Sequence, residues 1–301
     1  MNATARGSRR GAPVVVLGSA NLDLVATTRR HPSPGETVLG DSFAEHPGGK
    51  GLNQAVAAAR AGADTSLIAS VGTDSAGDVL LGVARDSGID TSGCLRRSDL
   101  PTGRALITVD GEGENTIVVV PGANAAPPRP TAFADGAVLL AQLEVPLDDV
   151  TAAFDLARRS GMMTILNPAP ASALPDGLLG DCRIVIPNEH EIDSLGGAHR
   201  LLDLGVETVI TTLGGRGVAV DGAHGRRVHP AWDVTPVDTT GAGDTFCGAL
   251  AARLAVGDDL DAAVEWAAAA AALSTTTHGA VPSIPTADQV ERFMASATRR
   301  D

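Results

Sequence analysis

Tyrosine is absent from the 301 residues, and aromatic side chains make up only 2% of them. That scarcity argues against stacking platforms of the kind that bind single-stranded nucleic acid or decorate carbohydrate-binding modules. Lysine is almost absent too: Lys50 is the single one, and every other basic residue is arginine. A Walker A loop needs Lys followed by Ser or Thr, whereas Lys50 precedes Gly51. A pyridoxal-phosphate Schiff base would have no lysine but this one to use. Cys94, Cys182 and Cys247 are odd in number and far apart, with no CxxC, which speaks against a disulfide framework or a zinc site. The seven histidines show no HExxH spacing. No run approaches the ~18 apolar residues of a membrane span, and Val14–Leu17 is too short for a signal-peptide core. A reducing, cytoplasmic setting is expected, with no membrane partner. The net charge of -13 argues against a nucleic-acid surface, which needs clustered cations.

What is present is ordinary globular material, 44% hydrophobic and 20% charged, rich in glycine (35) and proline (18). Residues 1–11, with Arg6, Arg9 and Arg10, read as a short disordered basic arm. Residues 12–301 show neither linker nor internal repeat and read as a single domain. Short β-branched runs at Val14–Leu17, Ser66–Val71, Ala137–Leu143, Met163–Leu166, Arg183–Ile186 and Thr208–Thr212 alternate with helical stretches near Gln54–Ala61, Ala76–Ser87, Asp148–Ser160 and Asn188–Leu195. Such alternation predicts an α/β fold, a mostly parallel sheet with helices on both faces. Two places break it: an extended stretch at Glu36–Glu45, and a hairpin of Ala105–Asp110 and Asn115–Val120. With no helices between them, these pieces predict a small antiparallel sheet over a cleft. Ala242–Ala255 and Leu260–Thr276 are alanine-rich helices, and Asp288–Ala297 is a terminal one.

The strongest local signal is Asp238-Thr239-Thr240-Gly241-Ala242-Gly243-Asp244-Thr245-Phe246. Glycines at a helix start turn backbone amides outward, where the helix dipole favours an anion. An aspartate there can deprotonate a hydroxyl that attacks a phosphoryl group held by those amides. Equally, Asp244 could simply cap the helix. Asn21 and Asp23 follow the first strand and offer a polyol one amide and one carboxylate, or close the strand in an Asx turn. Lys50 sits at a helix start, where its charge opposes the dipole and a surface role is less attractive. Asn188 and Glu191 have the spacing of a capping box at a helix start. No GxG pair continues to a third glycine in GxGxxG spacing, which disfavours a dinucleotide-binding dehydrogenase.

The run DTTGAGDTF resembles the C-terminal signature of the ribokinase (PfkB) family of carbohydrate kinases. Gly48-Gly49-Lys50-Gly51-Leu52-Asn53-Gln54-Ala55 is similar to its N-terminal signature. Further matches, in family order from about residue 13 to 285, are Gly18–Asp23, Pro34–Thr37, Gln142–Glu144, Asn167–Pro170, Pro187–Glu191 and Thr212–Gly217. The resemblance implies a ribokinase-like three-layer α/β/α sandwich with a mostly parallel central sheet. It also implies a small antiparallel β lid, drawn from about residues 20–47 and 100–121, that pairs two subunits into a homodimer.

The same resemblance implies roles. Asp244 is the base, with the amides of Gly241, Ala242 and Gly243 as anion hole. Asn21, Asp23, Gly49, Lys50, Gly51, Asn53 and Glu144 hold the sugar. Thr212, Leu213, Gly214, Gly215, Arg216 and Gly217, with Asn188, Gly243, Asp244 and Ala268, bind ATP. Asn188 and Glu191 order magnesium indirectly. Asp238 and Thr240, with Ser274, Thr277, Gly279 and Ser283, form a potassium loop. The activity implied is ATP-dependent phosphorylation of the primary hydroxyl of D-ribose; deoxyribose, another neutral sugar or a nucleoside are alternatives, and a non-catalytic sugar sensor is one of another class. Three departures stand out. Ala268 falls where relatives often carry a polar residue near the adenine, implying relaxed base selectivity. Cys247 replaces a small or amide residue and is expected to pack against the sheet. The stretch from Leu195 to Val206 is about a dozen residues short of the family pattern, which puts a helix there in doubt.

Overall fold

The computed structural model describes residues 11–133 and 137–300. Of the basic arm expected at 1–11, all but Gly11 lies outside the described residues. Eight strands form the central sheet in the spatial order Gly225–His229, Val218–Gly222, Thr208–Thr212, Ile184–Val185, Met163–Leu166, Val138–Ala141, Val14–Leu17 and Thr65–Ile68. Six of them run parallel, and the hairpin 218–229 closes one edge antiparallel. The central strands Val14–Leu17 and Val138–Ala141 are unbroken apolar runs buried on both faces, as inner parallel strands require. In Val14–Leu17 the alternate side chains divide: Val14 and Val16 join one core, Val15 and Leu17 the other.

The first core is covered by the helices Lys50–Arg60, Ser75–Asp86, Ala242–Ala255, Leu260–Ser274 and Ala287–Ser296, the second by Leu147–Arg159, Asp176–Gly180 and Ala198–Asp203. The expected three-layer sandwich is therefore present. Lys50–Arg60 and Ala242–Ala255 pack unusually close. A Cβ at Gly248 would lie 2.2 Å from the Gln54 carbonyl oxygen and 2.6 Å from Ala57 Cβ, so only glycine fits there. Among the described residues no helix is long and apolar enough to cross a membrane.

The small sheet has the order Ser42–Gly48, Asn21–Thr27, Gly103–Val109, Asn115–Val120. Its outer pairings are antiparallel, whereas the central one, Asn21–Thr27 with Gly103–Val109, is parallel. The chain leaves this sheet after Gly48, passes through the main core and re-enters from the same end, which fixes that direction.

Several boundaries differ from the sequence expectation. The helix placed at Gln54–Ala61 begins at Lys50, because Gly49 (φ 90°) lets the chain turn straight into it. The extended stretch expected over Glu36–Glu45 becomes regular strand only from Ser42; Gly35 (φ 80°) and the Glu36 amide bond to Ser33 make a turn before it. The helix doubted between Leu195 and Val206 exists as Ala198–Asp203, anchored by the fully buried Leu201. The edge hairpin 218–229 had no counterpart in the sequence reading, since its second strand, Gly-Arg-Arg-Val-His, is mostly exposed and carries little apolar signal.

Candidate active site

Ligand sites of open α/β sheets lie beyond the carboxyl ends of parallel strands. Asn21, Glu144, Asn167 and Asn188 all follow such ends here, and Thr212 is itself the last residue of one. The N-termini of Lys50–Arg60 and Ala242–Ala255 open into the same cleft.

Asp244 stands in the first turn of Ala242–Ala255 and is 7% exposed. It does not cap the helix; Gly241, in the left-handed conformation at φ 76°, occupies the cap. Its carboxylate accepts instead from two side-chain amides, Asn53 Nδ2 on Oδ2 at 3.0 Å and Gln54 Nε2 on Oδ1 at 2.9 Å. The capping alternative is thereby set aside. Of the amides of Gly241, Ala242 and Gly243, expected to form an anion hole, one has an internal partner. The Ala242 amide donates to the Thr239 carbonyl at 3.2 Å, closing the turn that enters the helix. Among the described residues the amides of Gly241, Gly243 and Asp244 have no backbone acceptor, the usual state of a helix start.

On one side of Asp244 lies the expected sugar segment. Asn21 and Asp23 stand in regular strand rather than in an Asx turn. Asn21 is held by Asn124, whose Nδ2 donates to its Oδ1 at 2.7 Å. Glu144 Oε2 accepts from Ser19 Oγ and from the Lys50 amide at 3.0 Å. A Cβ at Gly49 would sit 2.7 Å from the Asn21 amide nitrogen, so a side chain there would displace this strand. Burial, reinforced by the charges of Glu144 and Asp244, pushes the Asp23 carboxyl up to about 7. Asn53 Oδ1 is buried without a partner, an acceptor free for a ligand hydroxyl.

On the other side, a cavity of about 120 Å³ is lined by Lys50, Asn188, Glu191, Thr212, Gly241, Gly243 and Asp244, among others. The Lys50 main chain thus faces the sugar segment while its side chain lines this cavity. Asp244 holds the ammonium above its ordinary pKa against the opposing effect of burial, with help from Glu144 and Glu191. Asn188 and Glu191 do form a capping box: Asn188 Oδ1 accepts from the Glu191 amide and Glu191 Oε2 from the Asn188 amide, both at 2.8 Å. The cap uses Oε2 alone. Burial raises the Glu191 carboxyl.

A second cavity of about 250 Å³ shares Thr212 and Gly243 with the first and continues past Gly214, Gly215, Gly217, Phe246 and Ala268. Its length and apolar walls suit a nucleoside. Leu213 and Arg216 do not line it: the Leu213 amide closes the glycine turn on Gly217 O at 2.8 Å, and Arg216 is ion-paired with Glu189. Cys247 is buried, as expected, and burial pushes its thiol up.

The loop expected to take potassium is assembled around Asp238, whose oxygens accept from the amides of Thr240 at 2.9 Å and Gly279 at 2.8 Å. Burial alone would raise its carboxyl, but these bonds hold it low. The Ser274 and Ser283 hydroxyls donate to the carbonyls of Ala271 and Ala280, and the Thr277 amide to Ser274 O.

Sequence reading gave no role to Gln54, Ser19 or Asn124 in the buried site, nor to Trp232 and Arg300, which line the larger cavity. A signal existed for Gln54: it is an amide set among the apolar residues Leu52, Ala55, Val56 and Ala58, and it is fully buried. Trp232 and Arg300 come from segments without a motif.

Two cavities that adjoin at Thr212 and Gly243, one of them lined by the buried Asp244 beside open helix amides, have the layout a phosphoryl-transfer site needs. The pfkB family carbohydrate kinase pattern matches residues 12–287. The chain belongs to this family of carbohydrate kinases. It is 40% identical over 299 residues to the ribokinase of Staphylococcus aureus, covering 93% of this chain and 98% of that one. The deoxyribokinase of Salmonella typhi is 32% identical, with 94% and 98% covered. The structure of Arabidopsis thaliana ribokinase complexed with ribose and ATP superposes with a TM-score of 0.87 at 30% identity, covering 94% of this chain and 99% of that one.

The Asp23 environment makes a prediction about the sugar-free protein. Its folded-state carboxyl is raised from an ordinary 3.8 to about 7, so between these values the native state holds a proton that the unfolded chain has lost. Stability from this group is therefore full below about pH 4 and falls as pH rises towards 7. Asp23→Asn removes the fall: relative to the parent, its Tm without sugar rises more at pH 8 than at pH 5. Parallel Tm profiles for the two proteins would contradict this.

Proposed function

We propose that the protein transfers the γ-phosphoryl group of ATP to the primary hydroxyl of D-ribose, giving ribose 5-phosphate and ADP. The observation that carries this reading is Asp244, fixed by Asn53 of the sugar segment and by Gln54, and lining the small cavity that adjoins the larger one at Thr212 and Gly243. The pocket of Asn21, Asp23, Asn53 and Glu144 suits an uncharged polyol, since it offers both donors and acceptors. Its carboxylates oppose a phosphorylated sugar, against which only Lys50 stands.

The hydroxyl proton passes to Asp244, and the sugar oxygen forms a bond to the γ-phosphorus. The bond from that phosphorus to the β–γ bridging oxygen breaks, and ADP leaves with the electron pair. Amides of Gly241, Gly243 and Asp244, with the Lys50 ammonium, meet the charge on the transferring group. Thr212, Gly214, Gly215 and Gly217 present the nucleotide. Asn188 and Glu191 would hold magnesium through its waters, a fit for a site in which the described residues show no direct cluster of three acidic, His or Cys ligands. Magnesium, when bound with ATP, supplies charge neutralisation of the phosphates. The oxygens around Asp238, Thr240, Ser274, Thr277, Gly279 and Ser283 suit potassium, a weakly hydrated ion that activates from beside the anion hole. Free thiols at Cys94, Cys182 and Cys247 and an ATP cosubstrate suit the cytoplasm.

The test is ADP release over ribose, deoxyribose, fructose and several nucleosides, with and without potassium. Ribose is expected to give the highest kcat/KM and potassium to raise it; Asp244→Asn is expected to lose about 10²- to 10⁴-fold in kcat. Turnover on none of the acceptors, with ribose still bound, would replace this reading by a sugar sensor.

We also propose that two copies pair through the small sheet, where Phe43, Leu106 and the run Ile117–Val120 are exposed, Phe43 to 64% and Val118 to 60%. Light scattering is expected to give twice the chain mass, and Val118→Asp to give a monomer. A monomeric parent protein would refute the pairing.

A further inference from the structure

Gln54 is fully buried in the first helix, and no part of its side chain reaches the cleft except through Asp244. Its Nε2 donates both hydrogens, one to Asp244 Oδ1 at 2.9 Å and one to Asn167 Oδ1 at 3.0 Å. Its Oε1 accepts from Gln142 Nε2 at 2.5 Å. Asn167 in turn donates Nδ2 to the Ile186 carbonyl at 2.9 Å. The direction of this network is fixed at both ends. An ionised carboxylate and a backbone carbonyl only accept, so Gln54 has to aim its amino group at Asp244 and Asn167 has to aim its own at Ile186. The amides come from the carboxyl ends of two parallel strands and from one helix, so the carboxylate is tied to the sheet itself.

The two oxygens of Asp244 are unequal. Oδ1 is bound by the buried Gln54, whose other hydrogen and carbonyl oxygen are already committed to Asn167 and Gln142. Oδ2 is bound by Asn53, a residue of the sugar segment whose own Oδ1 is without a partner. We infer that Gln54 is a positioning residue that dedicates Oδ1 of Asp244 to the scaffold and leaves Oδ2 as the oxygen that takes the proton of the sugar hydroxyl. This rests on Asp244 acting as the base. The proton moves from the hydroxyl to Oδ2 as the sugar oxygen bonds to phosphorus and ADP departs with the electrons of the broken P–O bond. The unpartnered Oδ1 of Asn53 is free to accept from the sugar, while Gln54 keeps hold of the carboxylate.

The test uses Gln54→Leu and Gln54→Glu in the full chain, with kcat, both KM values and pH profiles. Gln54→Leu removes the donor and frees the carboxylate to rotate. Its kcat is expected to fall about 10- to 100-fold, the loss typical of a misplaced reacting group, while KM for ribose and for ATP stays within about threefold. In Gln54→Glu the new carboxyl group donates to Oδ1 only while protonated. Its kcat relative to the parent is therefore expected to rise as pH falls, a trend that Gln54→Leu lacks. The other ionisable groups facing Asp244, namely Lys50, Asp23, Glu144, Glu191 and Cys247, are unchanged in both variants, so the difference between the two profiles reports the new group.

A kcat in Gln54→Leu equal to the parent's would overturn the inference. So would a loss in both variants that follows the folded fraction, with matching pH profiles. If Gln54→Leu does not fold, the profile of Gln54→Glu against the parent decides: a relative rate rising at low pH supports the role, and a flat ratio refutes it. Should Asp244→Asn keep full turnover while Gln54→Leu loses it, the assignment of the base fails and not the network.

Discussion

The site depends on the contact between the helices Lys50–Arg60 and Ala242–Ala255. They lie so close at Gly248 that a single added carbon would fall 2.2 Å from the Gln54 carbonyl oxygen. Asp244 meets Asn53 and Gln54 near one end of this contact, and Gly248 meets Ala57 and Ala58 further along. The helices therefore run side by side in the same direction, and both N-termini open on the cleft. One contact thus brings together Asp244, the proposed base, its amide partners, the lone lysine and the free helix amides. Alanine-rich sequence makes it possible, since small side chains let backbones approach while preserving helix propensity.

The same geometry explains how a chain of net charge -13 can serve a polyanionic cosubstrate. In the proposed mechanism phosphate is met by backbone amides, helix dipoles and Lys50. Acidic groups collect on the sugar side, where burial first, and then the charges of Glu144 and Asp244, raise the Asp23 carboxyl to about 7. The two substrates thus meet fields of opposite character across one aspartate. Crowded carboxylates are costly in the empty pocket and become useful when a polyol supplies hydroxyl donors.

Much of this was legible in the chain. Regular alternation of strand and helix gave the layers, and the Ala242–Ala255 and Thr208–Thr212 boundaries agree with the structure residue for residue. The glycine-rich signatures placed Asp244, Asn53 and Lys50 at helix starts, since a left-handed turn such as Gly241 leaves a local mark. Relations between distant segments left none. Nothing local says that Gln54 reaches Asp244 or that Gln142 supports it, because buried amides look alike whether they serve a site or a core. The capping box at Asn188 and Glu191 was readable as either a cap or a metal-ordering pair. The cap is formed, and it leaves Glu191 Oε1 outside its bonds. Trp232 and Arg300 entered the nucleotide cavity from a loop and a terminal segment whose contacts are tertiary. The edge hairpin was missed because an exposed strand rich in arginine has no hydrophobic period to detect.

The most direct measurement is the kinetics and thermal stability of Gly248→Ala. Its new methyl group presses on the backbone of the first helix, so the helices have to part. The account predicts a lower Tm together with a kcat reduced more than about tenfold, beyond what the folded fraction explains, since a displacement near 1 Å at a reacting group costs that much or more. Unchanged kcat in the folded variant would contradict the claim that this contact sets the position of the base.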